Sequence, residues 1–77
     1  MMTLYNLTGC PYCDMARRRL DELKLSYDVI EVPAMRPMRQ EVHRVSGQWT
    51  VPVLVDDGEV FDDEDKIIAH VNKKYAT

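Results

Sequence analysis

Apolar positions change their period several times along the chain, and each change marks an element boundary. Thr3 to Leu7 is a short dense run in which Leu4, Tyr5 and Leu7 supply bulk, the signature of a buried strand. From Pro11 to Leu25 the spacing becomes i, i+4, i+7 through Ala16, Leu20 and Leu23, which predicts an amphipathic helix. Pro11 suits the first helical position, because its missing N–H would have had no partner there. The opposite face carries Asp14, Arg17, Arg18, Asp21 and Glu22, with Asp14–Arg18 and Arg17–Asp21 at i,i+4. Ser26 to Val32 predicts a second strand through Tyr27, Val29, Ile30 and Val32. Strand, helix and strand within about thirty residues make a βαβ unit, so the two strands are expected to lie parallel with a right-handed crossover.

Pro33 and Pro37 bracket a connection, and Pro37 is expected to start a second helix with Met38, Val42 and Val45 on its apolar side and Gly47 as its C-cap. Met35 and Met38 are expected to fill the core beneath it. Val53 to Val55 reads as a third strand, and Asp57-Gly58 as a hairpin turn into a fourth around Val60 and Phe61. The last helix starts in the acidic run Asp62 to Asp65 and continues through Ile67, Ile68, Val71 and Tyr75. The order is βαβαββα, an α/β chain without repeats, low-complexity stretches or a linker, and residues 1–77 read as a single domain.

Composition narrows the function classes. A chain of 77 residues has room for a small core, and 45% hydrophobic with 30% charged residues is the make-up of a folded soluble protein. A net charge of -3 offers nucleic acid no basic face. No apolar run approaches the ~20 residues of a membrane span, and Met1 to Leu7 lacks the long apolar region of a signal peptide. A cytoplasmic monomer is therefore the expectation. In that reducing compartment an isolated cysteine pair is more often catalytic or metal-binding than a structural staple.

The only two cysteines stand in Gly9-Cys10-Pro11-Tyr12-Cys13, where strand gives way to helix. A helix start is electropositive, because its first amides lack partners and its macrodipole points that way, and it favours a thiolate. A zinc half-site would need two more ligands, whereas His43 and His70 stand alone on predicted helices. A structural disulfide here would close too short a loop to restrict the unfolded chain. The residues favour a redox pair that cycles between dithiol and disulfide. Cys10, at the helix cap, is expected to attack a substrate disulfide, and Cys13, inside the first turn, to resolve the mixed disulfide. Arg17 to Arg19 and Lys73-Lys74 read as solvated faces.

Thr50-Val51-Pro52 precedes the third strand, a normal place for a strand-opening proline. Together, C-P-Y-C near the N-terminus, T-V-P about forty residues later and an acidic helix start resemble the glutaredoxin branch of the thioredoxin superfamily over nearly the whole chain. The acidic helix start after V-P-V-L-V also looks like the N-terminal domain of glutathione transferases. The resemblance implies a thioredoxin-like fold with a four-stranded mixed sheet and three helices. It also implies a cis Pro52 facing the cysteines, and a Val51 backbone that pairs with an extended substrate thiol such as that of glutathione. Tyr12 would flank the attacking sulfur and Thr50 would shape the groove. The last helix start would receive the γ-glutamyl end of glutathione, with Asp63, Glu64 and Asp65 at or beside the matching positions.

In function, the resemblance implies a dithiol oxidoreductase acting on protein or glutathione-mixed disulfides in cell redox homeostasis. It would bind no prosthetic group and use glutathione or a related thiol as co-substrate. Two departures bear on this. Leu7 stands where family members usually carry Lys or Arg, and Asp62-Asp63 replaces a common Gly-Gly pair, so glutathione carboxylates would meet repulsion without a compensating cation. These departures favour, as an alternative, a small thioredoxin-like redoxin recycled by a flavin disulfide reductase. A subunit-bridging iron–sulfur cluster is a further alternative, disfavoured because proline after the first cysteine stiffens the turn. Trp49, beside T-V-P, is either a contact for a protein substrate or a half-buried packing residue.

Overall fold

A computed structural model describes residues 1–76, with elements β1 (Met2–Asn6), α1 (Pro11–Glu22), β2 (Asp28–Glu31), α2 (Gln40–Ser46), β3 (Val53–Asp56), β4 (Glu59–Phe61) and α3 (Glu64–Tyr75). The expected βαβαββα order is the observed one. The sheet order is β2-β1-β3-β4; β1 runs parallel to β2 and antiparallel to β3, and β3 is antiparallel to β4. The period of two along the central strands sends side chains to opposite layers. Met2, Leu4 and Leu54 meet Ala16 and Leu20 of α1 and Ile67 and Val71 of α3. Tyr5 and Val53 meet Val32, just after β2, and Val42 of α2 on the other face.

Turn chemistry joins the elements. Asp57 and Gly58 both take positive φ, 50° and 87°, as a tight hairpin between β3 and β4 requires. Gly47 closes α2 in the left-handed region at φ 75°. Helix α3 is capped by Asp63, whose Oδ1 accepts from the amides of Asp65 and Lys66 at 2.8 and 3.2 Å.

Three expectations need correction. Helix α1 stops at Glu22, short of Leu25, because Lys24 turns left-handed at φ 56°. The Leu25 amide then bonds the Leu20 carbonyl at 3.1 Å and the Lys24 amide the Asp21 carbonyl at 3.0 Å, a Schellman closure built on lysine in place of the usual glycine. The second helix does not run unbroken from Pro37: Arg36–Met38 is a 3₁₀ turn, and Arg39, with ψ 56°, interrupts it before Gln40. Met35 and Met38 consequently lie on the surface instead of in the core. Strand β2 is shorter than Ser26–Val32 and exposed along its length, since it forms a sheet edge; Val29 and Ile30 remain in solvent.

Candidate active site

Strand β1 delivers the chain to the reactive turn. The Cys10 amide bonds the Leu7 carbonyl at 3.1 Å across Leu7-Thr8-Gly9-Cys10, and Gly9 supplies the positive φ of 88° that this turn demands. A side chain from the neighbouring strand clamps the same turn. Glu31, at the end of β2, accepts from the Thr8 amide at 2.6 Å and from the Asn6 side-chain amide at 2.9 Å. Those bonds, the one from Thr8 first, hold its carboxyl below the usual range.

Cys10 then serves as the N-cap of α1, in extended conformation, with its carbonyl accepting from the Asp14 amide at 3.0 Å. Cys10 is partly exposed, whereas Cys13 is fully buried within the first turn. Burial pushes the Cys13 thiol up to about 12; the neighbouring Cys10 sulfur adds to this, and a backbone hydrogen bond at Leu7 opposes it. At neutral pH Cys13 is therefore a protonated thiol beneath an accessible one, with both cysteines free.

A groove of about 330 Å³ opens over Cys10, lined by Leu7, Tyr12, Arg39, Thr50, Val51, Asp62, Asp63 and Glu64. It gathers most of the expected site residues: Cys10, Tyr12, Thr50, Val51, Asp63 and Glu64. Tyr12 projects at its rim, 57% exposed. Pro52, joined to Val51 by the cis peptide that the resemblance implied, and Cys13 are both buried and do not line the groove. Asp65 does not line the groove; its amide is tied to the Asp63 cap. Asp62 does line it, paired with Lys66 at 2.8 Å.

Arg39 is the lining residue that sequence reasoning passed over. Only 5% exposed, it donates through Nε to the Pro33 carbonyl at 2.8 Å and through its two terminal nitrogens to Ala34 at 3.0 Å and Trp49 at 3.1 Å. A guanidinium has five N–H donors, so two remain beyond these three bonds. No sequence signal marked it, because a helix read from Pro37 places Arg39 in its first turn and the three carbonyls it meets are brought together only by the fold.

Residues 2–61 match the family model of glutaredoxins. The chain belongs to the glutaredoxin family. Glutaredoxin 1 of Rickettsia conorii is 36% identical over 56 residues, covering 70% of this chain and 55% of that protein. Prostaglandin E synthase 2 of Danio rerio is 35% identical over 74 residues, 96% of this chain and 19% of that one. Among solved structures, an epsilon-class glutathione S-transferase from the housefly Musca domestica superposes with a TM-score of 0.89 at 26% identity, covering 100% of this chain and 36% of the transferase. The fold is therefore thioredoxin-like, as expected, and the likeness to transferase domains is real. This glutaredoxin spans little more than half the length of the first relative, and about a third or less of the other two.

Proposed function

We propose that this glutaredoxin is a dithiol oxidoreductase that reduces disulfides in a reducing compartment such as the cytoplasm, with glutathione or a related thiol returning it to the dithiol state. The observation that carries the reading is the unequal pair of sulfurs at one helix tip: Cys10 open to the groove, Cys13 buried and protonated beneath it. Cys10 attacks one sulfur of a substrate disulfide, forming a mixed disulfide and expelling the other half as a thiolate. Cys13 then attacks the Cys10 sulfur, its proton passing to the departing thiolate. The protein is left with a Cys10–Cys13 disulfide, two electrons having gone to the substrate. Two thiols of glutathione reverse this and leave as glutathione disulfide.

The Val51 backbone, in the groove wall beside Cys10, is suited to align an extended thiol by strand-like pairing. Arg39 answers the difficulty raised by Leu7. A buried guanidinium with spare donors in the same groove supplies the cation that a glutathione carboxylate requires. Glu64 and Asp63, also in the lining, are suited to an ammonium group.

The test is kinetic. Cys10→Ser is expected to reduce turnover to background on every disulfide. Cys13→Ser is expected to keep reducing a glutathione mixed disulfide, with glutathione as the resolving thiol, and to lose activity on protein disulfides. Equal loss in both variants overturns the division of roles. Recycling of the oxidised protein by a thioredoxin reductase and not by glutathione overturns the choice of reductant.

A further inference from the structure

A second cavity, about 450 Å³, lies beside the reactive groove, lined by Pro37, Gln48, Trp49 and Thr50. Thr50 lines both cavities, so they adjoin at one residue. Trp49 is held by two independent restraints. Its ring stacks on His43 with centroids 4.2 Å apart and planes 11° from parallel, and its carbonyl accepts from Arg39 at 3.1 Å. One ring face is thus covered, yet the residue is still 38% exposed, which leaves the other face and the edge to solvent. A large apolar ring that is already immobilised loses little rotamer freedom when a ligand covers it, and that favours binding there.

We propose that this cavity is a specificity subsite, taking an aromatic side chain within two positions of the cysteine in an extended polypeptide disulfide. The proposal rests on the redox reading above and adds the substrate class. A substrate paired along the Val51 backbone is extended, at about 3.3 Å per residue. Its side chains two positions from the cysteine therefore lie about 7 Å along the peptide, far enough to pass Thr50 into the adjoining cavity that Trp49 lines. The occupant is aromatic because the exposed indole face continues a stack begun by His43, and Pro37 offers a second flat apolar wall. Glutathione has no such side chain, so the subsite separates polypeptide substrates from small ones.

Trp49 is the chain's single tryptophan, and its fluorescence reports the cavity without a label. The substrates are homodisulfides of blocked pentapeptides with a central cysteine, having glycine at the flanking positions or phenylalanine two positions before or after the cysteine. One phenylalanine peptide is expected to show kcat/KM about tenfold above the glycine peptide, the gain a well-packed aromatic contact gives. In Trp49→Ala that ratio is expected to fall to about one; using a ratio within each variant removes any loss of folded protein. A second readout has no redox step. The same peptides with serine for cysteine are titrated to millimolar concentration, and only the matching phenylalanine peptide is expected to shift Trp49 emission. Equal turnover of all peptides by the wild-type protein, or a preference that survives Trp49→Ala, overturns the subsite and leaves the redox reading standing. An emission shift with no turnover of any peptide or of a glutathione mixed disulfide overturns the redox reading and, with it, the cavity's part in substrate choice.

Discussion

Two sulfurs of identical chemistry diverge here because one turn of helix separates open groove from closed core, and the loop that leads to them is fixed from outside the helix. Glu31 is that fixture, reaching from β2 to the Thr8 amide at 2.6 Å. Its carboxyl lies below its ordinary value because the bonds from Thr8 and Asn6 favour the ionised form. A depressed carboxyl contributes stability in full above its unfolded pKa, about 4.3, and loses it as the pH falls through the lower folded value. The Thr8 amide is therefore expected to titrate in NMR spectra with a midpoint below about 4.3, and that titration is expected to vanish in Glu31→Gln. A midpoint at the ordinary value would remove the clamp. Cys10, Cys13 and Val51 were legible in the sequence because motif spacing identifies them. Glu31 and Arg39 were not, since each acts across 23 residues or across a loop on backbone groups that no pattern of side chains encodes.

Among the elements, the helix ends decide what the groove is made of. Asp63 lines it and also caps α3 through two amide bonds, so its part in the cap and its charge in the groove are separable by substitution. Asp63→Ala is expected to cost about 1 kcal/mol, lowering the Tm by about 4–8 °C in a domain of this size. Asp63→Asn, which keeps a capping oxygen, is expected to retain nearly all of that stability while removing the negative charge. Thermal unfolding of the pair checks this, and equal destabilisation in both variants would mean that charge and not the cap matters. Element order and type were legible because each stretch has a clear period and Gly47, Gly58 and Pro11 punctuate the boundaries. The errors have local causes. Lys24 closes α1 in a conformation usually left to glycine, and Arg39 spends its side chain on three carbonyls, breaking the second helix and leaving Met35 and Met38 outside. Edge position decided the exposure of Val29 and Ile30, and edge position is a property of the sheet, not of the strand.

Across the whole molecule, β3 and α3 both begin at the groove and end together at the far side. Val53 follows two residues after Val51 of the groove lining and β3 reaches Asp56; α3 starts with Glu64, also in the lining, and runs about 18 Å to Tyr75. Asp56 clamps the two elements there. Only 2% exposed, it accepts from His70 at 2.8 Å, Tyr75 at 2.8 Å and Lys74 at 3.3 Å. Burial alone would raise its carboxyl, but these three bonds outweigh burial and hold it below its usual value. The clamp is thus a stability device with a defined sign: present in full above the unfolded pKa near ~3.9, and lost as the pH falls through the lower folded value. Asp56→Ala leaves three donors facing an emptied buried site, and the expected loss is about 2–3 kcal/mol at pH 7. Urea unfolding at a series of pH values checks it. The wild-type and variant stabilities are expected to stay a constant distance apart above about pH 5 and to converge below about pH 4. Because Asp56 is three residues along the strand from Val53, about 10 Å from the groove, the folded variant is expected to turn over a glutathione mixed disulfide at the wild-type rate. A gap that persisted undiminished into acid would mean that the ionised carboxylate contributes nothing, and that α3 is held to β3 by packing of Ile67 and Val71 alone.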